Sequence, residues 1–342
     1  MKIAILCLQG LGDALMMTPA ISVLRAALPR AELHAIALRT GSHALLDAHP
    51  AIDRAHLAPF WDTSSLAAIR ALPAIRREHF DVSILAYPTF RYEYHLFSIA
   101  LGAKVRIAHD YRPFHKTLGF LENRRVAICN DHNVVNNVRL LAPLGIDLAP
   151  PHAYTIPAQW IAAPTRSRSV GFHVGTMTHK GNENKRWPLE RFIDLARATR
   201  NLGYDITFIS GPLERDLTAL ALAALPGSAR IEGPLDHVAR ELSGLAAVVA
   251  ADNGIAHLCA AVGTPIVALF GMTDPRHVRP WGSATFAVRP SDCPPCFHFG
   301  DALFECKLKI GFRCLQQDLQ VEDAFAALRV ALGPAEKSSN PG

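Results

Sequence analysis

The sequence predicts an α/β protein with two domains in tandem, each a parallel sheet covered by helices. Its 342 residues, 50% of them hydrophobic, favour two domains by length. Short apolar runs alternate with helical patterns in both halves, as is typical of parallel sheets. A proline-rich stretch at residues 151–168 is the predicted linker. We therefore place the domains at residues 1–150 and 169–332, and expect the polar tail at residues 333–342 to be flexible.

The first half begins with an apolar strand at residues 2–8 and a helix at residues 14–28. The turn between them contains Gly10 and Gly12 but lacks the third glycine of a dinucleotide fingerprint, and no P-loop lysine follows. Asp13 places a carboxylate at the carboxyl edge of the strand, where it either complements the helix dipole or acts on a ligand. The other elements predicted in this half are strands at residues 32–38, 81–87 and 104–108 and helices at residues 66–77 and 131–144.

Basic and aromatic residues are interleaved over residues 87–116, with only two acidic residues among them. Aromatic faces combined with cationic groups suit sugars that carry phosphate or carboxylate. The alternative is a solvated loop whose aromatic side chains enter the core. The candidate binding residues in this stretch are Arg91, Tyr92, Arg112 and Lys116.

The second half contains a predicted βαβ unit over residues 245–270. Asp252, Asn253 and Gly254 follow its first strand, at the sheet edge where open α/β folds bind ligands beside a helix N-terminus. Alternatively, Asp252 or Asn253 only caps the helix, and His257 is an ordinary half-buried histidine. The other elements predicted in this half are strands at residues 169–174, 204–210 and 229–232 and helices at residues 189–202, 213–225, 235–242 and 321–332.

Hydroxyl and basic residues follow the first strand of the second half. Thr176 and Thr178 precede a Gly/Asn-rich loop, and Lys185 stands just before a helix that we expect Pro188 to open at its first position. This group is either a diphosphate-binding loop or a solvated loop. Glu214, after the next strand, either binds a ribose diol or caps a helix.

Four separated motifs resemble, in order, those of the heptosyltransferases, glycosyltransferase family 9. The resemblance spans about residues 1–332 and implies the GT-B fold, in which two tandem Rossmann-like domains face a central cleft. The motifs are Gly12-Asp13-Ala14, Lys185-x-Trp187-Pro188, Gly211-x-x-Glu214 and Asp252-x-Gly254-x-x-His257 ahead of Gly263-Thr264-Pro265.

The resemblance also implies a reaction: inverting transfer of a heptose from ADP-heptose to a lipopolysaccharide-core acceptor, without a cofactor for the chemistry. Asp13 would be the general base, and Lys185 would stabilise the leaving diphosphate. The other donor-binding residues would be Thr176, Thr178, Glu214, Asp252, Asn253, Gly254 and His257, and the acceptor would contact Arg91, Tyr92, Arg112 and Lys116. Two alternatives remain open: transfer to a protein or small molecule or from another nucleotide-sugar, and a nucleotide-sugar binding protein without catalysis.

Four of the seven cysteines lie close together near the C-terminus. A Cys-x-x-Cys pair with two later cysteines is typical of a structural zinc or iron site, although the later spacing fits no standard ribbon. The cluster is similar to the iron-bearing cysteine finger of heptosyltransferases that modify autotransporter proteins. Free thiols or a disulfide are the alternatives. The four residues are Cys293, Cys296, Cys306 and Cys314.

Charge and hydropathy limit the partners and the location. The net charge of +5 suits anionic substrates or an anionic membrane surface and is too small to indicate nucleic acid. No apolar run approaches the roughly 20 residues that cross a bilayer. We expect a cytoplasmic protein, with peripheral attachment to the inner face of the cytoplasmic membrane if the acceptor is lipid-linked.

Overall fold

The structure is a computed structural model, and the chain forms two compact units. The first contains Met1–Ala158 with Arg276–Trp281, and the second contains Gln159–Pro275 with the described residues from Gly282 onward. The linker predicted at residues 151–168 stays a prediction, because part of it lies outside the described residues. The structure describes residues 1–60, 62, 64–112, 114–148, 153–162, 167–176, 182–282, 284–290, 292–297 and 305–333.

The first unit is a six-stranded parallel sheet with helices in the connections. Its strands follow the order β3-β2-β1-β4-β5-β6. The strands are β1 (Lys2–Cys7), β2 (Glu32–Ala37), β3 (Arg54–Leu57), β4 (Val82–Leu85), β5 (Val105–His109) and β6 (Arg124–Val126). The helices are α1 (Leu11–Ala27), α2 (Thr40–Asp47), α3 (Ser65–Arg76), α4 (Tyr92–Ala100), α5 (Phe114–Thr117) and α6 (Asn133–Arg139), with 3-10 turns at Gly119–Leu121 and Ala142–Leu144.

The second unit repeats this plan, with the strand order β12-β11-β10-β7-β8-β9. Its strands are β7 (Ser169–His173), β8 (Asp205–Ile209), β9 (Ala229–Ile231), β10 (Ala247–Ala251), β11 (Ile266–Leu269) and β12 (Thr285–Val288). Its helices are α7 (Leu189–Asn201), α8 (Arg215–Ala224), α9 (Leu235–Ser243), α10 (Gly254–Ala261) and α12 (Val321–Leu332), while α11 (Pro275–Val278) spans the boundary with the first unit. Short turns lie at Ala158–Trp160, Asn182–Lys185 (both 3-10) and Cys314–Asp318 (π-helical).

Each sheet has the strand order 3-2-1-4-5-6 when its own strands are counted along the chain, which is the Rossmann order. The predicted α/β class with two tandem Rossmann-like domains is therefore confirmed. In such sheets the strand order reverses between strands 1 and 4, and ligands bind at the carboxyl ends of those two strands. This rule directs attention to the loops after β1 and β4 in the first unit and after β7 and β10 in the second.

Several local predictions were wrong at their boundaries. Helix α1 begins at Leu11, because extended Gly10 is its N-cap, so Asp13 lies inside the first turn of the helix. Pro188 is the N-cap of α7 and not its first residue. Residues 92–100, predicted as part of a basic and aromatic stretch, form α4. By contrast, α12 was predicted at residues 321–332 and occupies Val321–Leu332.

Both sheets are buried on both faces, so their central strands are nearly continuous apolar runs. In the second unit the core joins the sheet to α7 and α12 through side chains such as Phe172, Trp187 and Leu328. No helix in the described part of the chain is long and apolar enough to cross a membrane.

Gly171 lies on the central strand β7, where the neighbouring side chains leave no room for a methyl group. An added Cβ would come within 2.7 Å of Leu245 Cδ1 and 3.1 Å of Val248 Cγ2. Gly171→Ala should therefore lower the free energy of unfolding by about 1–3 kcal/mol, as overpacked cores do. Urea denaturation followed by circular dichroism measures the change. Gly41→Ala is the control, because nothing lies within 4 Å of its added Cβ, and equal stability of the two variants would contradict the packing argument.

Candidate active site

An ion pair lies at the carboxyl ends of β7 and β10, where the second sheet reverses its strand order. Lys185 Nζ is 2.6 Å from Asp252 Oδ2, and only 13% and 9% of the two side chains are exposed. The Thr273 hydroxyl, which follows β11, donates to the same Oδ2 at 2.8 Å. The three loops that end β7, β10 and β11 thus meet at one carboxylate.

Trp187 fixes the loop that carries Lys185. Its ring is fully buried, packs edge-on against Phe192 at 5.1 Å, and donates from Nε1 to the carbonyl of Leu319 at 3.0 Å. Gln316 adds a hydrogen bond from its side chain to the carbonyl of Arg186 at 3.2 Å. The lysine therefore projects from a loop that is attached to the core and to the segment before α12.

Asn253 fixes the turn after β10. Its Oδ1 caps α10 by accepting hydrogen bonds from the backbone N–H groups of Ile255 and Ala256, at 3.0 and 3.2 Å. Its Nδ2 donates to Nδ1 of His173 at 3.0 Å and to the carbonyl of Gly175 at 3.1 Å. Because His173 accepts there, it is neutral, and burial lowers its pKa to about 4. Asn253 is thus the cap that the sequence left open between two residues, and it also joins the β7 and β10 loops.

Glu214 occupies the N-cap position of α8, but its side chain makes no capping bond. It lies instead across Gly175 and Gly211, where an added Cβ would meet Glu214 Cγ at 1.9 Å and Oε2 at 2.5 Å, respectively. Burial raises the pKa of this carboxyl group, and the charge of Arg186 opposes the shift. The carboxylate is therefore placed over two glycines, with a cation nearby.

The remaining predicted donor-side residues lie on the same edge of the second sheet. Thr176 is buried at the end of the β7 loop, and its carbonyl accepts from Arg186 Nη2 at 2.9 Å. Gly254 is the first residue of α10, and His257 is buried one turn into that helix. Thr178 lies outside the described residues.

In the first unit, Asp13 lies beyond the carboxyl end of β1, in the first turn of α1. Its Oδ2 accepts from the N–H of Gly10 at 3.2 Å, which satisfies the backbone donor of the N-cap residue of α1. The carboxylate also interacts electrostatically with Arg39, Tyr111 and Tyr154. The helix-cap role is therefore present, and the half-buried side chain stands at the ligand-binding edge of its sheet.

Two hydrogen bonds join the loops after β1 and β4. Gln9 donates from Nε2 to the carbonyl of Pro88 at 3.0 Å, and Tyr94 donates from its hydroxyl to Gln9 Oε1 at 3.3 Å. Near these loops, Arg91 pairs with Glu93 and Arg112 pairs with Asp110 at 3.1 Å. Tyr92 and Lys116 are exposed. The four predicted acceptor residues thus lie in the first unit, two of them with acidic partners on their own segments.

The four cysteines of the predicted metal site lie near one another, since Cys293 interacts electrostatically with Cys296 and Cys306 and makes a side-chain hydrogen bond with Cys314. All four residues are described, yet no three of their sulfur atoms lie within 4.8 Å of one another. Cys293 lies beside Cys314, and burial raises the pKa of both thiols, that of Cys314 to about 11. Cys306 differs, because N–H groups of the following turn lower its pKa although burial opposes this. The segment from Cys314 instead packs beneath the Lys185 loop through Gln316 and Leu319.

Among the described residues, His34, His56 and Glu78 do have possible ligand atoms within 4.8 Å of one another. His34 lies on β2, His56 on β3, and Glu78 between α3 and β4. Glu78 already pairs with Lys2 at 3.0 Å and with Arg54. His34 and His56 share a hydrogen bond of 3.0 Å. This is a polar network within the first unit.

Sequence reasoning missed three residues that shape the candidate site of the second unit. Arg186 binds the Thr176 carbonyl, and its buried Nε has no hydrogen-bond partner among the described residues. Thr273 holds Asp252, and His173 holds Asn253. The sequence offered a sign of each residue. Arg186 is next to Lys185, His173 ends β7, and Thr273 follows β11.

Comparison with known proteins gives one family. A model of glycosyltransferase family 9 (heptosyltransferase) matches residues 69–306. Lipopolysaccharide heptosyltransferase 3 of Escherichia coli is 24% identical over 297 residues, which cover 80% of this chain and 84% of that protein. Lipopolysaccharide heptosyltransferase 1 of E. coli K12 is 24% identical over 306 residues, which cover 84% and 93%.

Solved structures share the fold at lower identity. E. coli ADP-heptose lipopolysaccharide heptosyltransferase II superposes with a TM-score of 0.71 at 19% identity, over 97% of this chain and 98% of that one. E. coli heptosyltransferase WaaC with ADP-2-deoxy-2-fluoro heptose gives 0.70 at 21% identity, over 85% and 93%. The iron-containing dodecameric glycosyltransferase TibC of enterotoxigenic E. coli gives 0.58 at 14% identity, over 96% and 75%. These likenesses place the fold in the GT-B class.

His173→Gln should reduce the loss of stability in acid. Above about pH 6.5 this histidine is neutral in both folded and unfolded chains. As the pH falls toward 4, only the unfolded chain takes up the proton, because the folded pKa is about 4. The fold then loses up to about 3 kcal/mol from this group.

Thermal denaturation from neutral pH down to pH values just above 4 measures this effect. The wild type should lose more stability over this range than His173→Gln, which has no proton to bind. His237→Gln is the control, because His237 is exposed, and it should follow the wild type. Parallel curves for His173→Gln and the wild type would show that His173 is not held neutral by the fold.

Proposed function

The chain belongs to glycosyltransferase family 9, the heptosyltransferases, and from this we propose that it transfers a heptose from ADP-heptose to a lipopolysaccharide-core acceptor. The observation that carries the proposal is the buried Lys185–Asp252 pair at the point of strand reversal in the second sheet. Two curated relatives named as lipopolysaccharide heptosyltransferases, and a solved relative with an ADP-heptose analogue, support the choice of donor and acceptor.

The donor binds the second unit in this proposal. Lys185 neutralises the departing diphosphate, with Thr176 and Thr178 as hydrogen-bonding partners and the N-terminus of α10 adding a favourable dipole. Asp252 holds the sugar, while Gly254 and His257 lie by the phosphates. Glu214, placed over Gly175 and Gly211, accepts hydrogen bonds from the ribose hydroxyls. Asn253 acts through the turn geometry by capping α10 and holding the β7 loop.

Asp13 of the first unit is the proposed general base. The acceptor hydroxyl attacks the anomeric carbon while the carbon–oxygen bond to the diphosphate breaks, and the carboxylate takes the hydroxyl proton. A single displacement of this kind inverts the anomeric configuration. The acceptor is anionic, and Arg91, Tyr92, Arg112 and Lys116 are its proposed contacts. The proposed reaction uses neither a metal nor the cysteines.

Substrate turnover tests the proposed function as a whole. The purified protein is incubated with ADP-heptose and a core acceptor, and with UDP-, GDP- and other ADP-sugars, while nucleotide release and product are measured. ADP-heptose should be the preferred donor, and NMR of the product should show an inverted anomeric centre. Preferred turnover of another nucleotide-sugar would show that ADP-heptose is not the donor. Transfer to protein instead of the core would show that the acceptor is wrong. Binding of ADP-heptose without turnover under any condition would show that the protein is not a transferase.

Asp13→Asn separates the catalytic role of this residue from its cap. The amide oxygen can still accept from the Gly10 N–H, so the first turn of α1 should keep this hydrogen bond. The amide cannot take the acceptor proton, and kcat should fall by about 10²–10⁴-fold. Affinity for ADP, measured by calorimetry, should be unchanged, because the donor residues lie on the second unit. A parallel loss of ADP affinity, or activity equal to wild type, would remove Asp13 from the role of base.

Lys185→Met tests stabilisation of the leaving group. Without the ammonium, charge that develops on the diphosphate has no fixed cation, and kcat should fall by about 10²–10³-fold. The change also leaves the carboxylate of Asp252 buried without its partner, which destabilises the fold. Lys185→Met/Asp252→Asn is therefore the control, because it removes the buried charge without restoring the cation. It should regain thermal stability and remain inactive; recovery of activity would show that Lys185 serves only to hold the loop.

A further inference from the structure

The helix α4 carries polar side chains on its inward face and apolar ones on its outward face. Buried His95 and Ser98 both bind the buried carboxylate of Glu122, at 3.0 and 3.2 Å. Tyr92, Leu96 and Ile99, spaced four and three residues apart, are 49%, 45% and 38% exposed. A helix on the surface of a soluble domain normally has the opposite arrangement. Packing of the first unit therefore does not account for the apolar outer face.

The neighbouring helix α3 continues this surface. Leu66 and Ile69 are 52% and 62% exposed, and the guanidinium of Arg76 at the end of α3 lies against Gly102, just beyond α4. We call the outward side chains of Leu66, Ile69, Tyr92, Leu96 and Ile99 the α3–α4 face. A groove of about 290 Å³ opens on it, lined mainly by Leu38, Phe60, Ile69, Leu72, Leu96 and Phe97. The face thus combines protruding apolar side chains with an apolar groove.

Charge around the α3–α4 face is positive. Residues 63–77 contain three arginines, Arg70, Arg76 and Arg77, and no acidic residue. Acidic residues adjoining these segments have basic partners: Glu93 pairs with Arg91, Asp62 lies 3.6 Å from Arg39, and Glu78 pairs with Lys2 and Arg54. Exposed apolar side chains flanked by arginines match the two requirements of a bilayer surface with anionic lipids, namely an apolar interior and phosphate-bearing headgroups.

We propose that the α3–α4 face docks the protein on a membrane that contains anionic lipids. Leu66, Ile69, Leu96 and Ile99 enter the interface between headgroups and acyl chains, and the arginines bind headgroup phosphates. The biological reason rests on the proposed function, because a lipopolysaccharide-core acceptor is held in a membrane by its lipid. The docking surface then lies on the unit that carries Asp13 and the proposed acceptor contacts.

Vesicle flotation tests the docking surface directly. The full chain is mixed with vesicles of phosphatidylethanolamine and phosphatidylglycerol, or of phosphatidylcholine alone. The wild type should float with the anionic vesicles, and added salt should weaken the binding. Leu96→Ser/Ile99→Ser should lower the partition coefficient by about tenfold or more. Arg70→Gln/Arg77→Gln should weaken binding mainly at low salt. Leu220→Ser is the matched control, because Leu220 is 59% exposed on α8 and should be replaceable without effect.

Three outcomes would overturn the proposal: no flotation of the wild type, wild-type flotation of Leu96→Ser/Ile99→Ser, or a dimer in light scattering that this double variant dissociates. The last outcome would make the face a self-association surface. Turnover of ADP-heptose with a deacylated, water-soluble acceptor keeps the two proposals apart. Both variants should retain it. A wild type that floats but lacks this turnover would contradict the proposed function and leave the docking surface supported. A wild type that turns over ADP-heptose but does not float would contradict the docking surface and leave the proposed function supported.

Discussion

The ion pair between Lys185 and Asp252 is the interaction on which the donor side of the site depends. Removing two charges from water costs several kcal/mol per ion, and only close geometry with added hydrogen bonds offsets it. Here the two groups are 2.6 Å apart and Thr273 supplies a further donor. Trp187 holds the lysine loop, and Asn253 holds the aspartate turn. Packing and hydrogen bonds around both loops therefore hold the ammonium group of Lys185 at the edge of the sheet.

The two units have the same strand order but place different side chains where that order reverses. In each, the loops after the first and fourth strands meet where the order reverses, so each sheet presents one set of side chains at one place. The second unit places a cation, a capped helix N-terminus and a carboxylate over glycines there. The first unit places Asp13 and a tyrosine-rich surrounding there. The segment that follows Cys314 supports the Lys185 loop through Gln316 and Leu319.

Most of the fold and part of the candidate site could be predicted from the sequence. Apolar runs alternating with helical patterns predicted both sheets, and α12 was placed without error, because most of its apolar residues pack on one core. Edge strand β3 was missed because it is polar and only half-buried. Helix α4 was missed because its polar side faces inward, which hides the usual periodicity. Resemblance to the family, now confirmed, directed attention to Lys185 and Asp252, but their contact depends on tertiary packing between separate loops.

A structure of the protein with ADP bound is the most direct test of the account. Its central claim is that the ammonium of Lys185 is positioned for a diphosphate at the strand reversal of the second sheet. The account predicts a phosphate oxygen within about 3 Å of Lys185 Nζ, with the other oxygens near Thr176 and the start of α10. A diphosphate bound elsewhere, with Lys185 still paired to Asp252 and remote from the nucleotide, would contradict it.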